Sequence, residues 1–449
     1  MKILLERTKE SALDVIIGRG VTIGAMALLS SQTRRMKSLK FNFNSWTDIC
    51  AFSGINSGPL PLLHTLIISD ITEETPDDFA LVTRPSPLLF SGAVNLRVFH
   101  LNWTLPWSPS LKNFLFPNLT IFDLFATPGG EFYALQLFDF LEASQVLRKV
   151  RINLVADISF LGVPREKIVV LPNVENFDLT VYEGGPGYKM ATHISCPSAR
   201  YTSLTYIKFD GGSLPEEIIF PDSSSWDAII SQYSGSPVEQ VALKITPIPL
   251  ISCKLVFLSP GPNVIELCFQ VDETGDEDEL DLPSMEMRNE VFTQAVRFVR
   301  NHPQLENLKR LYICQSPLWP GPAEIPYFAN EIGALFNSVG PLDELTLSNC
   351  DLRSYFPSFL ELQVGYAKPA VFPPTKTLTI SHAVYEPLEK HTTAIAEFAK
   401  LQHASGTPLE RVVIRGESMP VGMEEGLRPW VSSVVWEYCC DESCESDSD

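Results

Sequence analysis

The chain has 449 residues, 45% hydrophobic and 20% charged, so most of its length can bury a core and global disorder is excluded. Its formal net charge of −20 argues against nonspecific binding to nucleic acid or anionic membrane. The nine cysteines are odd in number and scattered, and six of them, single among apolar neighbours, read as small buried thiols in a reducing compartment, the cytoplasm or nucleus.

At the N-terminus, Glu6, Arg7, Lys9 and Glu10 interrupt any apolar run, so no secretory signal is expected. The apolar window 13–29 contains Asp14, Arg19 and three glycines, too interrupted for a membrane span. Those glycines, Gly18, Gly20 and Gly24, do not keep the spacing of a dinucleotide fingerprint, and no carboxylate lies between Ser38 and Asn44 to hold a ribose. The segment reads as a turn, and a nucleotide-binding α/β enzyme is the lesser alternative.

From Met36 onward an apolar pattern at first, fourth and sixth positions recurs thirteen times, beginning at Met36, Leu63, Leu96, Leu119, Leu147, Val174, Leu204, Val238, Val264, Leu308, Leu342, Thr375 and Leu409. The fullest copy carries Leu342, Leu345, Leu347, Cys350 and Leu352 at the fixed places of a leucine-rich repeat. A proline stands one or two residues before eight of the thirteen, where a strand tolerates a missing N–H. Stretches 131–144, 288–301, 327–339 and 391–403 space their apolar residues as helices do. The expected fold is therefore an α/β leucine-rich-repeat-like solenoid, a horseshoe over residues 1–437, with a parallel concave sheet and convex helices. Leu66, Leu124, Leu179, Leu243, Leu311 and Leu345 should be buried in a sheet running from about residue 36 to 414. The acidic insertion 271–288 reads as a solvated loop and the acidic tail 438–449 as disordered.

The segments Leu5-Glu-Arg-Thr-Lys-Glu-Ser-Ala-Leu13 and Leu29-Ser-Ser-Gln-Thr-Arg-Arg-Met36-Lys-Ser-Leu-Lys-Phe41 resemble the stretch that follows the F-box helices in fungal F-box proteins. Phe116-Pro-Asn-Leu119, Phe140-Leu-Glu-Ala-Ser144 and Leu171-Pro-Asn-Val174 are similar to that family's repeat joints. The resemblance implies repeats that capture a substrate for a cullin–RING ubiquitin ligase, whose adaptor docks on the F-box. The F-box would precede Leu5 and is missing from the chain. Two expectations stay open: upstream DNA encodes it in frame, or the chain is a stand-alone interaction scaffold.

No residue is expected to be catalytic, cofactor-binding or metal-ligating. The seven histidines form no metal-binding pair, no nucleophile elbow is present, and Cys439, Cys440 and Cys444 lie in the tail without a nearby histidine. Function should instead sit at the third, fifth and seventh motif positions, which alternate outward from the strands. Their eight basic residues against five acidic ones contrast with the acidic chain. Lys149, Arg151, Tyr206, Lys208 and Lys244 are the candidate protein-binding residues, for a protein substrate with an acidic or phosphorylated segment. No nucleic acid or membrane is expected as a partner.

Overall fold

A computed structural model of the chain describes residues 11–18, 22–43, 60–70, 92–103, 116–126, 132–155, 158–182, 189–209, 239–246, 251–258, 264–272, 295–297, 299–301, 307–315, 326–348, 373–381, 392–416 and 422–438. The chain divides into two compact units, Met1–Tyr206 and Ile207–Asp449. Both are mixed α/β, with an open, mostly parallel sheet and few helices.

The first unit contains β1 (Leu13–Ile17), α1 (Ile23–Ser30), β2 (Met36–Phe43), β3 (Thr65–Asp70), β4 (Val98–Trp103), β5 (Ile121–Ala126), β6 (Phe132–Tyr133), α2 (Ala134–Ala143), β7 (Lys149–Leu154), β8 (Ile158–Ser159), β9 (Val169–Val170), β10 (Asn176–Tyr182), α3 (Lys189–Thr192) and β11 (Ile194–Ser195). Strand β12 (Tyr201–Phe209) begins in it and carries the chain onward. Its sheet runs β1-β2-β3-β4-β5-β7-β10-β12. The second unit holds β13 (Gln240–Thr246), β14 (Ile251–Leu258), β15 (Val264–Asp272), β16 (Arg310–Gln315), α4 (Pro326–Ser338), β17 (Leu342–Ser348), β18 (Thr375–Ser381), α5 (Thr392–Ala404), β19 (Leu409–Gly416), α6 (Met423–Leu427) and β20 (Val431–Tyr438). Its order is β15-β14-β13-β16-β17-β18-β19-β20.

Twelve of the thirteen expected motifs start at a strand's first residue or two residues before it. The pairing keeps motif positions in step. In the first unit the third positions Ser38, Thr65, Val98, Ile121, Lys149 and Asn176 face one another strand by strand. In the second, Gln240, Arg310, Glu344, Thr377 and Arg411 do the same. A slip of one residue would turn every apolar side chain to the other face, so this register is what burial enforces. The fourth positions Leu39, Leu66, Phe99, Phe122, Val150 and Phe177 are accordingly no more than 2% exposed. Leu124, Leu179, Leu311 and Leu345 are buried as expected, and the side chain of Leu243 lies outside those described.

Strands β3, β4, β5, β7, β10 and β12 are each entered through one repeated turn. The N–H of Leu63, Leu96, Leu119, Leu147, Val174 and Ala199 donates to the carbonyl three residues earlier, at 3.0–3.4 Å. Pro61, Pro117, Pro172 and Pro197 take the turn's second place, where a φ near −65° is already set. In the first unit the prolines thus mark the turn, whereas Pro341, Pro374 and Pro408 stand directly before β17, β18 and β19. Asn95, Asn118 and Asn173 take the third place, and each side-chain Nδ2 donates to a carbonyl of the preceding turn, on Pro61, Val94 and Gln145, at 2.7–3.0 Å.

Helix α2 buries Ala134, Leu137, Phe138 and Leu141, one face at helical spacing, together with Phe140. Phe140 stacks at 4.8 Å on Phe122 of β5 and lies 6.4 Å from Phe116, which meets Phe99 at 5.7 Å. This helix therefore covers the apolar side of the sheet. The expected helices at 327–339 and 391–403 are α4 and α5, and 288–301 is helical at 295–297 and 299–300.

Three expectations need correction. The unit assigned to Leu204 starts at Ala199, because Tyr201 takes the third-position bond to Glu175, as Asn176 does to Arg148. Ala199 and Thr202 fill its inward places, buried at 4% and 2%, and such small or polar residues escaped an apolar pattern. The sheets begin earlier and end later than 36–414, at β1 and β20, and β20 continues the register with Arg411 opposite Ser433. Finally, β14 is antiparallel to both β13 and β15, so the Val238 and Val264 copies are separated by a reversed strand. Beyond Asp272 the insertion 271–288 lies outside the described residues, as does the tail 438–449 after Tyr438.

Candidate protein-binding face

The outward side differs between the units. In the first, β5 and β7 alternate strictly between buried and solvent-reaching residues. In the second, the fifth-position residues Thr346, Thr379 and Val413 are buried at 8%, 2% and 4%, so β17, β18 and β19 are covered on both sides at that position. A strand buried on both faces reads as a near-continuous apolar run, as Val412-Val413-Ile414 does. At the fifth position β17, β18 and β19 thus differ from β4, β5, β7 and β10, whereas Tyr312 of β16 and Val435 of β20 in the second unit still reach solvent.

Its fifth positions form a charged row across four neighbouring strands. His100 on β4, Asp123 on β5, Arg151 on β7 and Asp178 on β10 stand in register. Arg151 Nε donates to Asp178 Oδ2 at 3.1 Å, and its Nη1 lies 3.9 Å from Asp123 Oδ2. Asp123 Oδ2 also lies 3.1 Å from His100 Nδ1. Half-exposed pairs of this kind stabilise by about 0–1 kcal/mol, so the row fixes side-chain direction more than fold stability. It also alters the expected basic strip, since Arg151 sits between two carboxylates.

Lys149, one turn of the pleat away, is exposed and makes no ion pair among the described residues. For Tyr206, Lys208 and Lys244 the backbone alone is described, within β12 and β13. With Ala199 as the first position of its unit, Lys208 becomes the tenth residue of that unit instead of the fifth. The structure thus brings Lys149 and Arg151 together on β7.

The residues missed in the sequence are Asn102 and Asn153, seventh-position amides on either side of Phe125. The Oδ1 of each is buried without a hydrogen-bond partner among the described residues. Such an orphan acceptor costs about 1–3 kcal/mol, and native proteins keep few of them. Both stand in one row of the strand face. The recurrence of Asn at the seventh position, in Asn42, Asn102 and Asn153, was the available signal.

Among the described residues no group of three or more His, Cys, Asp or Glu side chains could hold a metal ion, and no helix is long and apolar enough to cross a membrane. The glycine segment falls partly outside them, and Thr22 Oγ1 accepts the Ala25 N–H at the start of α1. Comparison with known proteins finds neither a family model nor a curated protein that matches the chain.

Proposed function

We propose that the chain is a non-catalytic protein-binding module, a leucine-rich-repeat-like solenoid of horseshoe type that works in the manner of the substrate-recognition part of an F-box protein of a cullin–RING ubiquitin ligase. The observation that carries the reading is the in-register ladder of motif positions, which sets rows of polar side chains across the open strand face of the first unit. A partner is held there by the Lys149 ammonium, the His100–Asp123–Arg151–Asp178 row and the Asn102 and Asn153 amides, with no bond made or broken. The buried cysteines Cys196, Cys268 and Cys314, none of them in a disulfide, suit a reducing compartment, cytoplasm or nucleus.

The test compares proteins captured from cells by the wild type, by Lys149→Glu and by Asn153→Val. Both variants should keep the wild-type far-UV circular dichroism. Asn153→Val should melt at the same or a higher temperature, because it removes an unpaired acceptor, yet both should lose the specific partner. Retention of that partner by both variants contradicts the reading. A ligase adaptor in the captured material assigns the F-box role, and a partner without adaptor assigns the stand-alone scaffold.

A further inference from the structure

The second motif position forms its own row, at the N-terminal edge of the sheets. In the first unit it comprises Lys37, His64, Arg97, Thr120, Arg148, Glu175 and Arg200, joined by an unbroken run of backbone N–H to carbonyl bonds of 2.8–2.9 Å. In the second unit the corresponding residues Glu239, Lys309, Asp343, Lys376 and Glu410 alternate in sign. Lys309 pairs with Glu239, and Lys376 Nζ donates to Asp343 Oδ1 at 2.6 Å. The second row neutralises itself. The first does not: Lys37, Arg97, Arg148 and Arg200 are all exposed, and the one carboxylate, Glu175, comes no nearer than 3.9 Å to Arg148. Lys37, Arg97 and Arg200 make no side-chain ion pair among the described residues.

The cations are evenly placed. They stand at the entries of β2, β4, β7 and β12, every second strand of the order, with His64, Thr120 and Glu175 between. Strands about 4.8 Å apart put the charges about 10 Å apart, the length of three residues of extended chain at ~3.3 Å each. Beside them, in the turns that enter β3, β4 and β7, Leu62, Val94 and Val146 are 40–49% exposed. Uncompensated cations and exposed apolar side chains thus share one edge of an otherwise acidic protein.

We propose that this edge is a docking strip for an extended acidic segment of a partner protein, one carrying a carboxylate at every third residue and apolar side chains between. The proposal rests on the protein-binding reading above and adds the chemistry of the partner. A nucleic acid strand or an anionic lipid surface would face the whole −20 chain without using the three-residue spacing or the apolar turns.

The experiment measures fluorescence anisotropy of two labelled synthetic peptides with the full chain, at low and at physiological salt. Both span about 30 Å, the width from β2 to β12. They have one composition of Asp, Leu and Ser, with Asp at every third position in one and clustered in the other. The spaced peptide should bind at least about tenfold tighter, with an affinity that falls as salt rises. Arg97→Glu combined with Arg148→Glu should lose about tenfold or more with unchanged circular dichroism. Lys376→Glu, in the self-neutralised row, should stay within about twofold. Equal affinity for the two peptides, or none lost in the double variant, overturns the proposal. Equal competition by oligothymidylate or by phosphatidylserine vesicles overturns it too, in favour of a generic polyanion. The strand-face variants are read in a different assay, so failure here leaves the protein-binding reading standing.

Discussion

Asp343 shows how a charge row adjusts its members. The Lys376 ammonium hydrogen-bonded to it, and then the charges of Lys309 and Arg310, hold its carboxyl below the usual aspartate range, although burial works the other way. Lys376 is raised in turn, chiefly by Asp343. A depressed carboxyl contributes stability that is present above its unfolded value of about 3.9 and is lost as pH falls through the lower folded value. Asp343→Asn should therefore lower the urea midpoint slightly near neutral pH, with the difference from wild type closing as the solution is acidified below that value. A difference independent of pH would show that the pair carries no such linkage. The group is at the surface, so added salt should shrink the effect. Cys196 is the opposite case: burial alone raises its thiol, which leaves it a packing residue without nucleophilic character.

At the scale of elements, the repeated turn and the aromatic cluster beneath it do the structural work. Phe140 joins α2 to the sheet through Phe122 and Phe116, and all three rings are fully buried. Phe140→Ala removes a large side chain from a packed site and should cost about 3–5 kcal/mol, read as a lower urea midpoint. A loss below about 1 kcal/mol would mean that α2 is held elsewhere. The strands were legible in the sequence because alternation and turn prolines agree at copy after copy, as at Phe116-Pro117-Asn118-Leu119. Where they failed, the reason is physical. Ala199 and Thr202 are inward residues too small or too polar to register, and β14 is a hairpin strand outside the repeat. Strand β20 carried the spacing in Val431, Val434 and Trp436, with Pro429 two residues ahead, and its bulky sixth residue hid it.

Across the molecule, one motif serves two surroundings. In the second unit the outward hydroxyls of Thr346 and Thr379 turn to Glu344 Oε1, at 3.4 and 3.0 Å, inside a covered layer. In the first unit His100, Asp123, Arg151 and Asp178 at the same position reach solvent. On these strands the type of residue at the fifth position follows the surroundings, and that much was written in the sequence. What it could not supply was the pairing of Arg151 with Asp178, because neighbours across strands depend on the register. The central claim is that the open strand face of the first unit binds a protein. A photo-crosslinking amino acid placed in turn at Lys149 and Thr180 on that face, and at Glu142 on α2, tests it most directly. Irradiation in cells should yield the same partner adduct from positions 149 and 180 and none from 142. An adduct from 142 alone would contradict the account.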